Sequence, residues 1–231
     1  GGFKAFNDIH INATRFVLQE YSKVANLKFV EVPEIGTAVG TLRFTFTDYD
    51  KVNPDVGGNS WGWAMGPYNQ PNGGDVWVDS EHMAADSSWE QGASYNFANL
   101  IHEIGHALGL DHPFAGADTL ATNLDFVNYT IMSYTQPDNF AAWNGSGAEA
   151  DYMVSTSPMV YDIAAIQHLY GAAEYNNGNT IYKYDPAKPV SEAIWDSGGT
   201  DIFDFSDFTE NCSINLAPGG YSTIAFTGWT M

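Results

Sequence analysis

The chain has 231 residues, and 8 lysines and arginines against 28 aspartates and glutamates give it a net charge of −20. That balance argues against nucleic acid or an anionic membrane surface as a partner, because phosphate binding needs a basic face. Its 44% hydrophobic content supports one large domain or two smaller ones, and a single cysteine, Cys212, rules out an intramolecular disulfide.

The N-terminal GGFKAFND lacks the apolar core of a signal peptide, and no apolar run approaches the ~20 residues of a membrane span. Apolar residues from Ile9 to Val24 recur at helical spacing. LKFVEV (27–32) and TLRFTFTDY (41–49) alternate apolar with polar and predict half-buried strands. Residues 50–74, rich in Gly, Asn and Pro, read as a long loop carrying Trp61, Trp63 and Tyr68. Within it DYDKVNPDVGG looks calcium-like but fails the EF-hand spacing. DVWVD (75–79) is a third strand. A second loop, with Ser87, Ser88 and Gly92, then leads to a helix at about 95–108.

Residues 111–157 are irregular, a length that in a folded domain usually wraps a site. PMVYDIAAIQHLYG (158–171) is another helix, with Pro158 at its start and Gly171 at its end. Its apolar face is Met159, Ile163, Ile166, Leu169 and Tyr170. After Gly171 the helical period vanishes. TIYKY, DIFDFSDF and YSTIAF predict short strands between Gly, Asn and Asp turns, so a domain boundary is expected near 172.

The chemistry concentrates in HEIGHALGLDH (102–112). His102 and His106 are four apart, so a helix stacks them on one face. Two imidazoles at that spacing can hold one zinc ion, with Glu103 beside the open metal position. Continued helix would carry His112 too far along the axis. Gly109 can adopt the left-handed conformation that ends a helix and turns the chain, bringing His112 back to the metal. Three neutral imidazoles leave a position for water, the mark of a catalytic zinc. Glu103 is then the general base. For this composition a chance match to the full spacing is on the order of one in 10⁵.

These residues resemble the metzincin metalloproteases. Met132, in YTIMSY (129–134), matches the methionine turn that lies beneath the zinc in that clan. Within the clan the chain is similar to the secreted bacterial serralysins, through HEIGHALGLDHP, MSY, PMVYDIAAIQHLYG and WDSGGTDIFDFS. The serine and tyrosine after Met132 fit a matrixin-like protease less well. The resemblance implies an α+β fold: a twisted mixed sheet with an active-site helix and a C-terminal-lobe helix, followed by a short all-β segment. It makes Tyr134 an additional zinc ligand that also serves catalysis by bonding the oxyanion. A phenol beside a metal suits both jobs.

WDSGGTD resembles the entry to the serralysin calcium-binding β-roll. By that resemblance Asp196, Asp201 and the carbonyls of Gly198 and Gly199 are calcium ligands, joined by Asn176, Gly178 and Thr180 of NNGNT. Oxygen donors of this kind suit calcium. No run of G-G-x-G-x-D repeats follows, so only the start of the roll is expected. The expectation is a secreted, extracellular zinc endopeptidase, its catalytic domain at 1–171 and a β-rich calcium-binding segment at 172–231. Zn²⁺ is the catalytic cofactor and Ca²⁺ a structural one. The expected state is a monomer acting on protein or peptide substrates, with room for a protein inhibitor. The substrate would lie extended along an edge strand, for which DVWVD is the candidate. The rival reading is a calcium-dependent interaction module that keeps a zinc site with little proteolysis.

Overall fold

Helix α1 (Asp8–Val24) begins where Asn7 leaves the helical conformation and its side chain accepts hydrogen bonds from the backbone N–H groups of Ile9 and His10. His10 Nδ1 in turn accepts from the Asn7 N–H at 3.3 Å, closing a reciprocal cap. The buried stripe Ala13, Val17, Tyr21 and Val24 faces the core. The computed structural model describes residues 2–36, 39–48, 60–90, 95–137, 142–143 and 151–230. Most of the DYDKVNPDVGG segment, and Gly92, lie outside them.

Three strands make the principal sheet: β1 (Arg43–Thr47), β2 (Gly62–Ala64) and β3 (Asp75–Asp79), in the order β1-β3-β2. β1 runs parallel to β3, with Phe44 beside Val76 and Phe46 beside Val78, and β2 runs antiparallel to it. The sheet is therefore mixed, as the resemblance implied. The other face of the β1–β3 pair is pinned by Arg43, whose guanidinium donates to both carboxylate oxygens of Asp75. DVWVD is the central strand and not the edge. The edges are β1, bridged once by Lys4, and β2, a short strand within what composition alone makes a loop.

LKFVEV also departs from expectation. Leu27 and Phe29 pack against the core, but residues 27–32 join no sheet among the described residues, and Val30 is 70% exposed. Alternation here reports one-sided burial of an extended segment. Arg15 of α1 fastens it through a two-pronged bond to Glu31.

Helix α2 (Tyr95–Ala107) lies against β2, β3 and α1, and nine of its residues are buried. Helix α3 (Val160–Tyr170) closes the other side, burying Ile163 and Ile166. Tyr170 Oη donates to the Leu108 carbonyl at 2.8 Å and ties the end of α3 to the end of α2. One hydrophobic core runs through Val17, Tyr21, Phe46, Val78, Ile101, Ile104, Met132 and Ile166.

The 111–157 segment is mostly irregular. Among the described residues its regular pieces are a 3-10 turn at Thr122–Leu124 and two short strands, β4 (Ala142–Trp143) and β5 (Asp151–Tyr152). β4 also pairs with β8 (Trp229–Thr230) near the end of the chain. Beyond α3, β6 (Ile181–Lys183) and β7 (Ile202–Asp204) form a parallel pair, and YSTIAF contributes a single bridge, Ser213 to Thr223. The molecule is α+β, with its helices enclosing the core beneath a small mixed sheet. Among the described residues no helix is long and apolar enough to cross a membrane.

Candidate metal centre

Helix α2 ends as the glycine spacing requires. Gly109 has φ +104°. Its N–H donates to His106 O at 2.9 Å, and the Leu110 N–H reaches back to Gly105 O at 2.9 Å. This pair of bonds is the Schellman ending of a helix, and it needs a residue free to turn left-handed. The turn sends the chain back toward the helix and returns His112 to His102 and His106. The Nε2 of His112 lies 3.2 Å from that of His102 and 3.0 Å from that of His106.

The tautomers follow from the backbone. His102 Nδ1 lies 2.8 Å from the Ile131 carbonyl, and His106 Nδ1 lies 2.7 Å from the Leu110 carbonyl. A carbonyl only accepts, so each Nδ1 carries the proton and each Nε2 is left with a bare lone pair. Burial holds the His102 imidazole down to about 3 and His112 to about 4, with the neighbouring rings adding to the effect. His106 is lowered as well, chiefly by burial. All three are therefore neutral near pH 7. Lone pairs directed at one point repel unless a cation lies between them. The observed spacings are close to the about 3.3 Å that tetrahedral nitrogens at ~2.0–2.1 Å from a zinc ion would show. The donor set thus fits zinc, and it is the only group of three or more His, Cys, Asp or Glu side chains among the described residues able to hold a metal.

Glu103 is buried beside this cluster. Burial pushes its carboxyl up to about 8, and Oε2 has no hydrogen-bond partner. A carboxyl left unpaired in an apolar wall, facing a metal site, is poised for proton transfer. Tyr134 is 68% exposed, yet its Oη is 2.7 Å from His112 Nε2 and its ring lies over His102. Burial of the hydroxyl, then the nearby Glu103, raises its phenol.

Met132 is buried under α2, where a side chain at Gly105 would meet its Sδ at 2.8 Å. Gly105 therefore matters as much as Gly109. One lets sulfur approach the helix, the other turns the chain. Asp162, in the first turn of α3, is a further site element that the sequence pattern did not single out. Its carboxylate accepts from Met159 N–H and Ile131 N–H, both at 2.7 Å, and from the Thr130 hydroxyl. The same Ile131 holds His102 through its carbonyl. Asp162 thus links the start of α3 to the orientation of an imidazole. Phe114, stacked on His112 with centroids 4.9 Å apart, is a third residue that spacing alone could not place.

The site opens into a cleft of ≈ 790 Å³. It is lined by β2 and residues 65–68, by His106 and residues 108–112, and by Leu169 and Tyr170. Of the loop aromatics, Trp61 is packed inward, bonding Asn96 through its indole N–H. Trp63 lines the cleft and stacks on Trp77, and Tyr68 lines the cleft.

The two loops expected to bind calcium do meet. The Thr180 N–H donates to Asp201 Oδ1 at 2.9 Å, and Gly178 O lies against Gly199. Asn176 has φ 52°, a left-handed turn. Asp196 accepts from the Gly198 N–H and from Tyr182 Oη, which itself accepts from Asn176 Nδ2.

Comparison with known proteins gives the context for this geometry. The matrixin family model matches residues 6–142, and the model described as peptidase M10 serralysin C terminal matches residues 160–228. The chain is 33% identical to serralysin C of Dickeya chrysanthemi, over 96% of this chain and 49% of the relative. It is 32% identical to serralysin of Proteus mirabilis, over 95% of this chain and 48% of the relative. Metalloprotease AprA of Pseudomonas entomophila is 29% identical, over 97% of this chain and 49% of the relative. The chain spans about half the length of these relatives.

Proposed function

The chain belongs to the M10 metallopeptidases, in their serralysin family, and from that membership we propose that it is a zinc endopeptidase cleaving peptide bonds in proteins. The observation that carries this reading is the convergence of three neutral imidazole nitrogens at 3.0–3.2 Å with an unpaired buried glutamate beside them. His102, His106 and His112 hold the zinc ion in this reading, with Tyr134 as an additional ligand. Bound there, zinc supplies a Lewis acid that polarises the scissile carbonyl and eases deprotonation of water.

The rest falls to the protein's own groups. Glu103 takes the proton of the attacking water and delivers it to the leaving nitrogen. Tyr134, whose Oη lies beside the three imidazoles, would donate its Oη–H to the carbonyl oxygen as charge develops there. Ile131 O and Leu110 O keep His102 and His106 in the tautomer that offers Nε2. The substrate lies extended against β2. In the β2–β3 ladder Trp61 and Met65 exchange bonds with β3, as Asp79 N–H to Trp61 O and Met65 N–H to Asp75 O. By alternation Trp63 also faces β3, while Gly62 and Ala64 turn their backbone groups to the open edge. A peptide adds there as a further strand.

In this reading residues 1–171 carry catalysis, and 172–231 begin a β-rich segment. There Asp196, Asp201, Thr180, Asn176 and the carbonyls of Gly178, Gly198 and Gly199 bind calcium. Family membership also motivates a secreted, extracellular protein.

Glu103→Gln tests the mechanism. The variant should retain stoichiometric zinc and lose kcat on an internally quenched peptide by at least about 10³-fold. Near-normal turnover would remove Glu103 from its role. Absence of peptide hydrolysis in the zinc-loaded wild type would favour the interaction-module reading.

A further inference from the structure

The charge of the chain is unevenly placed. No lysine or arginine lies between Lys51 and Lys183, a stretch that carries fifteen aspartates and glutamates and includes every residue of the metal centre. All 18 residues that line the cleft come from this stretch, and histidines apart its only charged side chains are Glu103 and Asp111. Glu103 is buried and committed to proton transfer. Asp111 is exposed, stands between Leu110 and His112 where the chain returns to the metal, and pairs with no lysine or arginine among the described residues.

Besides the neighbouring His106 and His112, Asp111 shares the cleft with the apolar Pro67, with Tyr68 and with Leu169, which is 51% exposed at the end of α3. Leu169 breaks the rule that apolar helix positions face the core, and its exposure suits contact with something that enters the cleft. Apolar walls with one carboxylate match a side chain with an aliphatic stem and a cationic head. The Tyr68 ring adds a face on which such a head can rest.

We propose that the cleft selects cationic polypeptides. A lysine or arginine near the scissile bond places its charged head on Asp111 and its stem across Pro67, Tyr68 and Leu169. The net negative charge of the 52–182 stretch draws such chains in. This inference rests on the peptidase reading and names the substrate class of the same site. It has a corollary for the protein itself: the 52–182 stretch around the metal centre lacks the residues its cleft prefers, which limits self-cleavage there.

The test uses zinc-loaded protein and a neutral quenched peptide in which each position flanking the cleaved bond is, in turn, Lys, Arg, Leu or Glu. The readout is the ratio of kcat/KM to the Leu peptide, so a change in active fraction cancels. In the wild type, Lys and Arg should exceed Leu by about fivefold or more at one position, with Glu below Leu. Raising sodium chloride from 20 mM to 500 mM should cut the Lys advantage. Asp111→Asn should bring the Lys-to-Leu ratio close to one, and Asp111→Lys should put Glu ahead of Lys. A flat profile in the wild type, with the Leu peptide still cleaved, overturns this inference alone. So does a Lys preference that survives both substitutions. If no peptide is cleaved, the peptidase reading falls and this inference with it.

Discussion

Asp162 shows how one buried carboxyl can organise a site it does not touch. It accepts from two backbone N–H groups and a hydroxyl, at the joint between α3 and the turn that carries Met132. Burial nevertheless outweighs these donors and lifts the carboxyl from 3.8 to about 6. Between those values the native state keeps a proton that the unfolded state has released. The contribution is therefore full below pH 3.8 and is lost as pH rises through 6. Asp162→Ala should destabilise by about 3 kcal/mol at low pH, since it strands buried donors. The gap between wild type and variant should shrink by about 2 kcal/mol from pH 4.5 to pH 8. Urea unfolding with metals chelated throughout measures it, and a gap that widens toward pH 8 would refute the account. Nothing in the 158–171 pattern announced this role, because a helix-start aspartate is ordinary. Its partners at Thr130 and Ile131 are some thirty residues away. Gly109 was legible because the histidine spacing demanded a turn. Gly105 was not, because its reason is the Met132 sulfur and the Tyr21 hydroxyl, each 2.8 Å from where a Cβ would be.

At the scale of elements, the helices were the readable part. Helical period and end signals depend on neighbours a few residues apart, so α1, α2 and α3 could be placed to within about two residues. Strand order depends on distant pairing, and there alternation misled: LKFVEV joins no strand among the described residues, while Gly62–Ala64 forms an edge. A strand of three residues with a glycine has no local signature. Its value lies in what it leaves open. The Gly62 carbonyl is already engaged by the Ser60 hydroxyl at 2.7 Å, so Ala64 offers the available pair of backbone groups. Ala64→Pro removes an N–H that the β3 ladder does not use. It should leave the melting temperature within a few degrees and lower kcat/KM on an extended peptide by about tenfold, mainly through KM. An unchanged KM would move substrate pairing away from β2.

Over the whole molecule, the segment after α3 is built into the 1–171 half. The Ala173 N–H donates to Val24 O at the end of α1, and Ala172 forms an antiparallel bridge with Ala25. The buried Thr156 and Ser157 are bonded to Ser191 and Ala193, and Tyr221 packs edge-on against Tyr129 at the start of the Met132 turn. Residues that sequence reasoning assigned to a separate calcium-binding segment thus touch the stretch that seats His102. Calcium at the 176–201 loops would act on the centre through these contacts, without touching zinc. The loop backbones already approach closely, with Gly178 O against Gly199, and an ion bound only by the native arrangement stabilises it by mass action. Removing calcium with a selective chelator, zinc held constant, should lower the melting temperature by several degrees. At 100-fold saturation, linkage amounts to ~2.7 kcal/mol. Restoring calcium should reverse the change, and Asp201→Asn should abolish the response while keeping three-histidine zinc binding. An identical melting curve with and without calcium would leave the loops as plain turns. Residues 172–231 would then stabilise the 1–171 half through packing alone.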